Sequence, residues 1–154
     1  MDTTRHLVCP ACHTVNRVSE PRLGDGPRCG SCQKPLFTGR PVELDAASFD
    51  KHIERNDLLV VVDFWAAWCG PCRSMAPHFE RAATELEPGV RFAKLDTEAA
   101  PEIAARYGIR AIPTLIVFQH GRETARRSGA LDSRSLVDWL RPIAGAAVAA
   151  RESA

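Results

Sequence analysis

Six cysteines fall in three pairs of identical spacing: Cys9-Pro10-Ala11-Cys12, Cys29-Gly30-Ser31-Cys32 and Cys69-Gly70-Pro71-Cys72. Two thiols separated by two residues can close a small-loop disulfide, supply half of a metal site, or simply pack. The third pair follows Leu58 to Phe64, an apolar, β-branched run that reads as a strand buried on both faces. A helix should begin near Gly70, because Met75, Phe79, Ala82, Ala83 and Leu86 recur at helical spacing. Cys69 then sits in a strand-to-helix loop, where unpaired backbone N–H groups and the positive end of the helix dipole favour a thiolate. Cys69, at the exposed edge, is the expected nucleophile. Cys72, one turn inside, is the expected resolving thiol, and Arg73 adds a positive charge nearby. Half of a metal site and a pair of inert core thiols are the competing uses. The first lacks partners if the other four cysteines complete each other, and Gly70-Pro71 is turn chemistry that opposes the second.

The first two pairs have the spacing Cys9-x2-Cys12-x16-Cys29-x2-Cys32, with Pro10 and Gly30 suited to tight turns. Two such knuckles supply four soft thiolates with no open position, the donor set of a structural Zn²⁺. Two disulfides, four free thiols or an iron–sulfur cluster are the alternatives. His6 and His13 could substitute as ligands, although four cysteines make them unnecessary; His52, His78 and His120 read as surface residues. Residues 1–39 carry few large apolar side chains, so a bound metal would supply folding energy that their core lacks.

These sites need a frame. Hydrophobic content of 45% and charged content of 25% are globular values, and 154 residues suit one domain plus a small segment. The formal charge of +1 argues against a nucleic-acid or membrane-surface partner. No leading apolar segment marks a secretory signal, and no apolar run is long enough to span a bilayer, so a reducing cytoplasm is expected. After a hinge at Gly39-Arg40-Pro41, the pattern reads βαβαβαββα, an α/β mixed sheet flanked by helices. Val42 to Leu44 opens it, with Asp45 as N-cap of a helix carrying Phe49 and Ile53. Val90 to Leu95 is a strand, Pro101 to Tyr107 a short helix, and Thr114 to Gln119 a strand turning at His120-Gly121. Asp132 caps a last helix, followed by an Ala-rich stretch, 143–154, that is either a helical extension or a loose tail. Asp63 lies inside the apolar strand, where an unpaired carboxylate is costly and its pKa rises toward neutral. A satisfied structural carboxylate, or one turned to solvent, is the alternative.

Residues 61–72, "VVDFWAAWCGPC", resemble the active-site strand and loop of the thioredoxin family. "MAP", "FAKLDTE", "YGIRAIPTLIVFQHG" and "SGAL" follow in family order and spacing, so the resemblance covers residues 40–142. It implies the thioredoxin fold and thiol–disulfide exchange at Cys69 and Cys72. It further implies Asp63 as proton acceptor for Cys72, Lys94 as the partner of Asp63, and a cis-proline at Pro113. Trp68, Gly70, Pro71, Ile112, Pro113, Gly129 and Ala130 would form the apolar surface on which a substrate strand docks. Disulfide-bearing protein substrates and an NADPH-fed thioredoxin reductase are the implied partners, and a monomer is expected. A knuckle pair before such a domain is similar to the zinc-containing bacterial thioredoxins of the thioredoxin 2 type, which implies one Zn²⁺ on Cys9, Cys12, Cys29 and Cys32. The Ala-rich end and the loop between the knuckles depart from the pattern. An oxidase or isomerase on the same fold is disfavoured by the lack of a His between Cys69 and Cys72. A zinc-dependent redox sensor or binding module is the reading from a different class.

Overall fold

The computed structural model describes residues 3–153. A five-stranded sheet forms its centre, built from β3 (Val42–Leu44), β4 (Leu59–Trp65), β5 (Val90–Asp96), β6 (Thr114–Gln119) and β7 (Arg122–Ser128) in the order β3-β5-β4-β6-β7. The β3–β5 and β4–β5 pairs are parallel, and β4–β6 and β6–β7 antiparallel, so the sheet is mixed as the element order implied. Helices α1 (Phe49–Arg55) and α3 (Pro101–Arg106) cover one face; α2 (Gly70–Leu86) and α4 (Ser133–Ser153) cover the other.

Alternation along β4 makes this arrangement. Leu59 and Val61 pack with Met75, Phe79, Ala82 and Ala83 of α2 and with Leu136 and Leu140 of α4. Val60, Val62 and Phe64 pack on the opposite side with Phe49, Ile53 and Ile103. A period of two puts Asp63 on the α2 side with Leu59 and Val61. Lys94 follows Val90 and Phe92 onto that same side of β5. The turn between β6 and β7 holds His120 and Gly121 at φ 48° and 82°, values that a primed hairpin turn requires.

Local capping differs from expectation at α1. The helix begins one turn later, after Ser48, because Asp45 and Ser48 bond reciprocally: Ser48 N–H donates to Asp45 Oδ1 at 2.8 Å, and Asp45 N–H to Ser48 Oγ at 3.0 Å. Asp132 does cap α4, accepting the Ser135 N–H at 2.8 Å. The Ala-rich stretch is no loose tail, since α4 runs through it and Ala147 is buried in the core cluster against α2 and the sheet.

Residues 4–37 form a separate small layer. An antiparallel pair, β1 (Thr4–Val8) and β2 (Val15–Ser19), precedes a second turn around Cys29. Leu7, Cys9, Cys29 and Leu36 pack on Leu58, the residue that leads into β4. Val8 N–H donates to Asn56 Oδ1 at 2.9 Å, which fixes β1 against the end of α1.

Candidate functional site: a dithiol at a helix start and a four-cysteine cluster

Strand β4 delivers the chain to Ala66, Cys69 caps α2, and Pro71 occupies its first turn, where the missing N–H costs nothing. Cys69 and Cys72 are joined as a disulfide with Cα atoms 5.2 Å apart. Cys72 N–H donates to Cys69 Sγ at 3.2 Å, the kind of contact that stabilises a thiolate once the bond is opened. Cys69 is less exposed than its place at the edge suggested: it retains 4% of its surface and Cys72 2%. The cover comes from across the sheet end, because Cys69 Sγ lies 3.6 Å from the Ile112 carbonyl oxygen.

Pro113 follows, and the Ile112–Pro113 bond is cis, as is Glu87–Pro88. Gly129 N–H donates to the Pro113 carbonyl at 2.9 Å, with Gly129 at φ 99°, a conformation that disfavours a side chain. Cys69, Ile112, Pro113 and Gly129 are therefore held together. Gly129 and Ala130 are exposed and Ile112 half-buried. Trp68 is 67% exposed, its indole N–H donating to Glu98 Oε1 at 2.8 Å. Arg73 reaches back to the Ala67 carbonyl at 2.7 Å and so braces the loop.

Asp63 keeps 1% of its surface, and its Oδ1 has no hydrogen-bond partner. Burial pushes its carboxyl up to about 7, and the positive charge of Lys94 opposes that rise. Lys94 is its direct neighbour in the parallel register. The ammonium nevertheless lies 4.4 Å from the centroid of the Trp65 ring, and no ion pair joins it to Asp63 among the described residues. The face that Asp63 shares with Leu59 and Val61 is the one that α2 covers, with buried Cys72 in the first turn of that helix.

The four remaining cysteines converge, with all four Sγ atoms within 4.8 Å of one another. Cys9 and Cys32 stand 3.6 Å apart, as do Cys12 and Cys29. Tetrahedral zinc with Zn–S bonds of ~2.3 Å separates its sulfurs by ~3.8 Å. The two turns are built alike. Ala11 and Cys12 N–H groups donate to Cys9 Sγ at 3.3 and 3.5 Å, and Ser31 and Cys32 N–H groups to Cys29 Sγ at 3.3 and 3.5 Å. Asn16 adds Nδ2–H to Cys29 Sγ at 3.4 Å. Such donors favour the thiolate form that a metal requires, so the residues fit a zinc ion.

Two residues escaped the sequence reading. His52 is fully buried, not a surface residue, and shares a 2.9 Å hydrogen bond with half-buried His13. Its spacing from Phe49 and toward Ile53 places it on the buried face of α1. Burial pushes its pKa down to about 3. Arg91, at 1% exposure, is the second; an Arg between Val90 and Phe92 was as suspicious as Asp63 between Val62 and Phe64. His6 and His120, by contrast, are exposed and flank Asp57 at 3.0 Å each.

The sequence matches the family described as Thioredoxin over residues 40–142, and the family described as Thioredoxin 2, N-terminal, a zinc ribbon, over residues 8–34. Thioredoxin C-3 of Corynebacterium nephridii is 46% identical over 134 residues, covering 87% of this chain and 92% of its own. A thioredoxin of Porphyra purpurea is 46% identical over 98 residues, covering 64% and 92%. Among solved structures, a mutant thioredoxin from Halobacterium salinarum NRC-1 aligns with a TM-score of 0.60 at 31% identity, over 67% of this chain and 89% of that one. Fold, dithiol and sequence thus agree on a thiol–disulfide oxidoreductase. The chain belongs to the thioredoxin family and is a protein-disulfide reductase carrying an N-terminal zinc-ribbon segment.

Proposed function

We propose that Cys69 is the nucleophile and Cys72 the resolving thiol of this reductase. The observation that carries this assignment is their disulfide at the start of α2, with the Cys72 N–H aimed at Cys69 Sγ. In the reduced enzyme the Cys69 thiolate attacks a substrate disulfide. A Cys69–substrate bond forms, the substrate bond breaks, and one substrate sulfur leaves as a thiolate that takes a proton. Cys72 then gives its proton to Asp63 and attacks Cys69 Sγ; the Cys69–substrate bond breaks, and the second substrate sulfur leaves as a thiolate that takes up the proton released through Asp63. Two electrons and two protons have passed to the substrate, and the Cys69–Cys72 disulfide remains. Lys94 limits how far burial raises the Asp63 carboxyl, keeping it near neutrality where it can both accept and release a proton.

Trp68, Gly70, Pro71, Ile112, Pro113, Gly129 and Ala130 are the docking surface for an extended substrate segment. A thioredoxin reductase fed by NADPH returns the enzyme to its dithiol form. Residues 1–39 are the metal-binding segment and residues 40–142 the exchange domain, acting as a cytoplasmic monomer. Cys9, Cys12, Cys29 and Cys32 hold one Zn²⁺, whose chemistry there is to cross-link two turns and fix the fold of a small segment. Among the described residues no helix is long and apolar enough to cross a membrane.

Insulin disulfide reduction by wild type and Cys69→Ser tests the exchange assignment: the variant should fall to the uncatalysed rate, and equal activity would end it. Metal analysis with thiol counting on the reduced, native protein tests the other half. One zinc and two reactive thiols are expected; no metal and six reactive thiols would refute the four-cysteine site.

A further inference from the structure

Arg91 heads the fully buried side chains by size, and it belongs to the exchange domain while facing the metal-binding segment. From β5 its Nη2 donates to the carbonyl of Val8, the residue before Cys9, at 3.5 Å. Its guanidinium carbon lies 4.7 Å from the centroid of the Phe37 ring, on the far side of the four-cysteine cluster in sequence. Glu87, its side chain 5% exposed, offers a carboxylate oxygen 3.7 Å from Nη1, and Arg91 Nε has no partner. This guanidinium thus touches both ends of the segment that contains all four cysteines. Its carboxylate neighbour is too distant for a close hydrogen-bonded pair.

A buried cation with so little compensation is costly, and the protein keeps it. Burial pushes the Arg91 pKa down, while negative charge at Glu87 and Cys9 holds it up. Burial also pushes the Glu87 carboxyl up, which weakens it as a counter-ion. A divalent ion on four thiolates leaves two net negative charges beside this guanidinium. Neutral thiols would leave none.

We propose that Arg91 is the internal counter-ion and positioning residue of the four-cysteine centre, coupling metal retention to the docking of residues 1–39 on the sheet. The proposal rests on the zinc assignment above. Charge, more than shape, is what the centre draws from Arg91, and its reach to the Val8 carbonyl sets that charge beside the first knuckle.

Transfer of zinc to a chromogenic chelator, followed on folded, fully loaded protein, reads this coupling without reference to enzyme activity. Arg91→Met preserves the apolar stem and deletes the charge. It should release zinc ~10- to 100-fold faster, the range typical of lost partners around a metal centre. Arg91→Lys keeps the charge and should stay close to the wild-type rate. Release from Arg91→Met at the wild-type rate, or equal acceleration in both variants, would overturn the proposal. If Arg91→Met does not fold, Arg91→Gln carries the same comparison, and hydrogen exchange on wild type provides a second one. Removing zinc should speed exchange at Val90–Phe92 and leave Leu115–Val117 unchanged; equal protection at Val90–Phe92 with and without metal also overturns it. Wild type purified without zinc would instead refute the metal assignment beneath it.

Discussion

Asp63 and Lys94 occupy directly opposed positions on adjacent parallel strands, yet the Lys94 ammonium rests 4.4 Å from the Trp65 ring centroid and leaves Asp63 Oδ1 without a hydrogen-bond partner. The lysine therefore acts on the carboxylate through space and does not clamp it. That arrangement is consistent with the proton-acceptor role proposed for Asp63, because a tight ion pair would hold the carboxylate ionised at every working pH.

A pH dependence follows with a definite sign. In the folded protein Asp63 ionises at about 7, against 3.8 for the ordinary carboxyl. Between those values the folded state binds the extra proton, so the contribution of Asp63 to stability is greatest below about pH 4 and is lost as pH rises through 7. Asp63→Asn removes the titration. Its stability relative to wild type should climb with pH by up to ~1.4 kcal/mol per unit across this window, a few kcal/mol in all. Urea denaturation of the oxidised proteins at pH 5 and pH 8 measures the change. A difference that does not vary with pH would mean that Asp63 ionises at its ordinary value.

Attack and resolution are separable in Cys72→Ser. The Cys72 N–H that stabilises Cys69 Sγ belongs to the backbone and survives this change. Cys69 should therefore still attack, and the mixed disulfide should persist because no thiol can resolve it. Intact-mass spectrometry after mixing with a disulfide-bonded protein should show a covalent adduct in near-stoichiometric yield. An adduct through Cys72 in the Cys69→Ser variant, at comparable yield, would reverse the two roles.

Trp68 tests the docking surface. At 67% exposure it is one of the two exposed large hydrophobic residues among those described, anchored by one hydrogen bond to Glu98. Truncation to Ala removes contact area from the substrate side and little from the core. Stability should change by no more than ~0.5 kcal/mol. The KM for a protein disulfide should rise several-fold while that for a small disulfide changes less. Equal effects on both substrates would place Trp68 outside the docking surface.

Much of this was legible in the sequence because the signals were local. The continuous β-branched run of β4, the turn chemistry of Gly70-Pro71 and the paired knuckles each need only a few neighbouring residues. What escaped depends on contacts between segments distant in the chain. His52 has the residue type of a surface position although it shares a helical face with Phe49 and Ile53; its partner, His13, lies 39 positions away. Arg91 interrupts an apolar strand, and the groups that surround it there, Val8 and Phe37, come from far away in the chain. The exposure of Cys69 was overstated for a related reason, since the backbone that covers it arrives from Ile112. Asp45 has the residue type of an N-cap, but its reciprocal bonds with Ser48 put the helix start one turn later.

The Ala-rich end shows how a composition cue can point two ways. Alanine favours a helix on its own, but isolated helical extensions fray unless one face is buried. Here Ile143 and Ala144 pack partly, and Ala147 fully, against the cluster of α2 and the sheet. Termination after Pro142 would remove that face and expose the apolar surface beneath it. At ~25 cal/mol per Å² of apolar surface, the loss should be on the order of 1–3 kcal/mol. Thermal unfolding of the truncated and full chains, both oxidised, measures it. Ala147→Asp in the full chain should reproduce most of the loss, because a carboxylate cannot be accommodated at that contact without solvent. Val148→Asp, one position on at an exposed site, should be nearly neutral. Equal stability of the truncated and full chains would mean that the contacts of Ala147 contribute nothing to the fold.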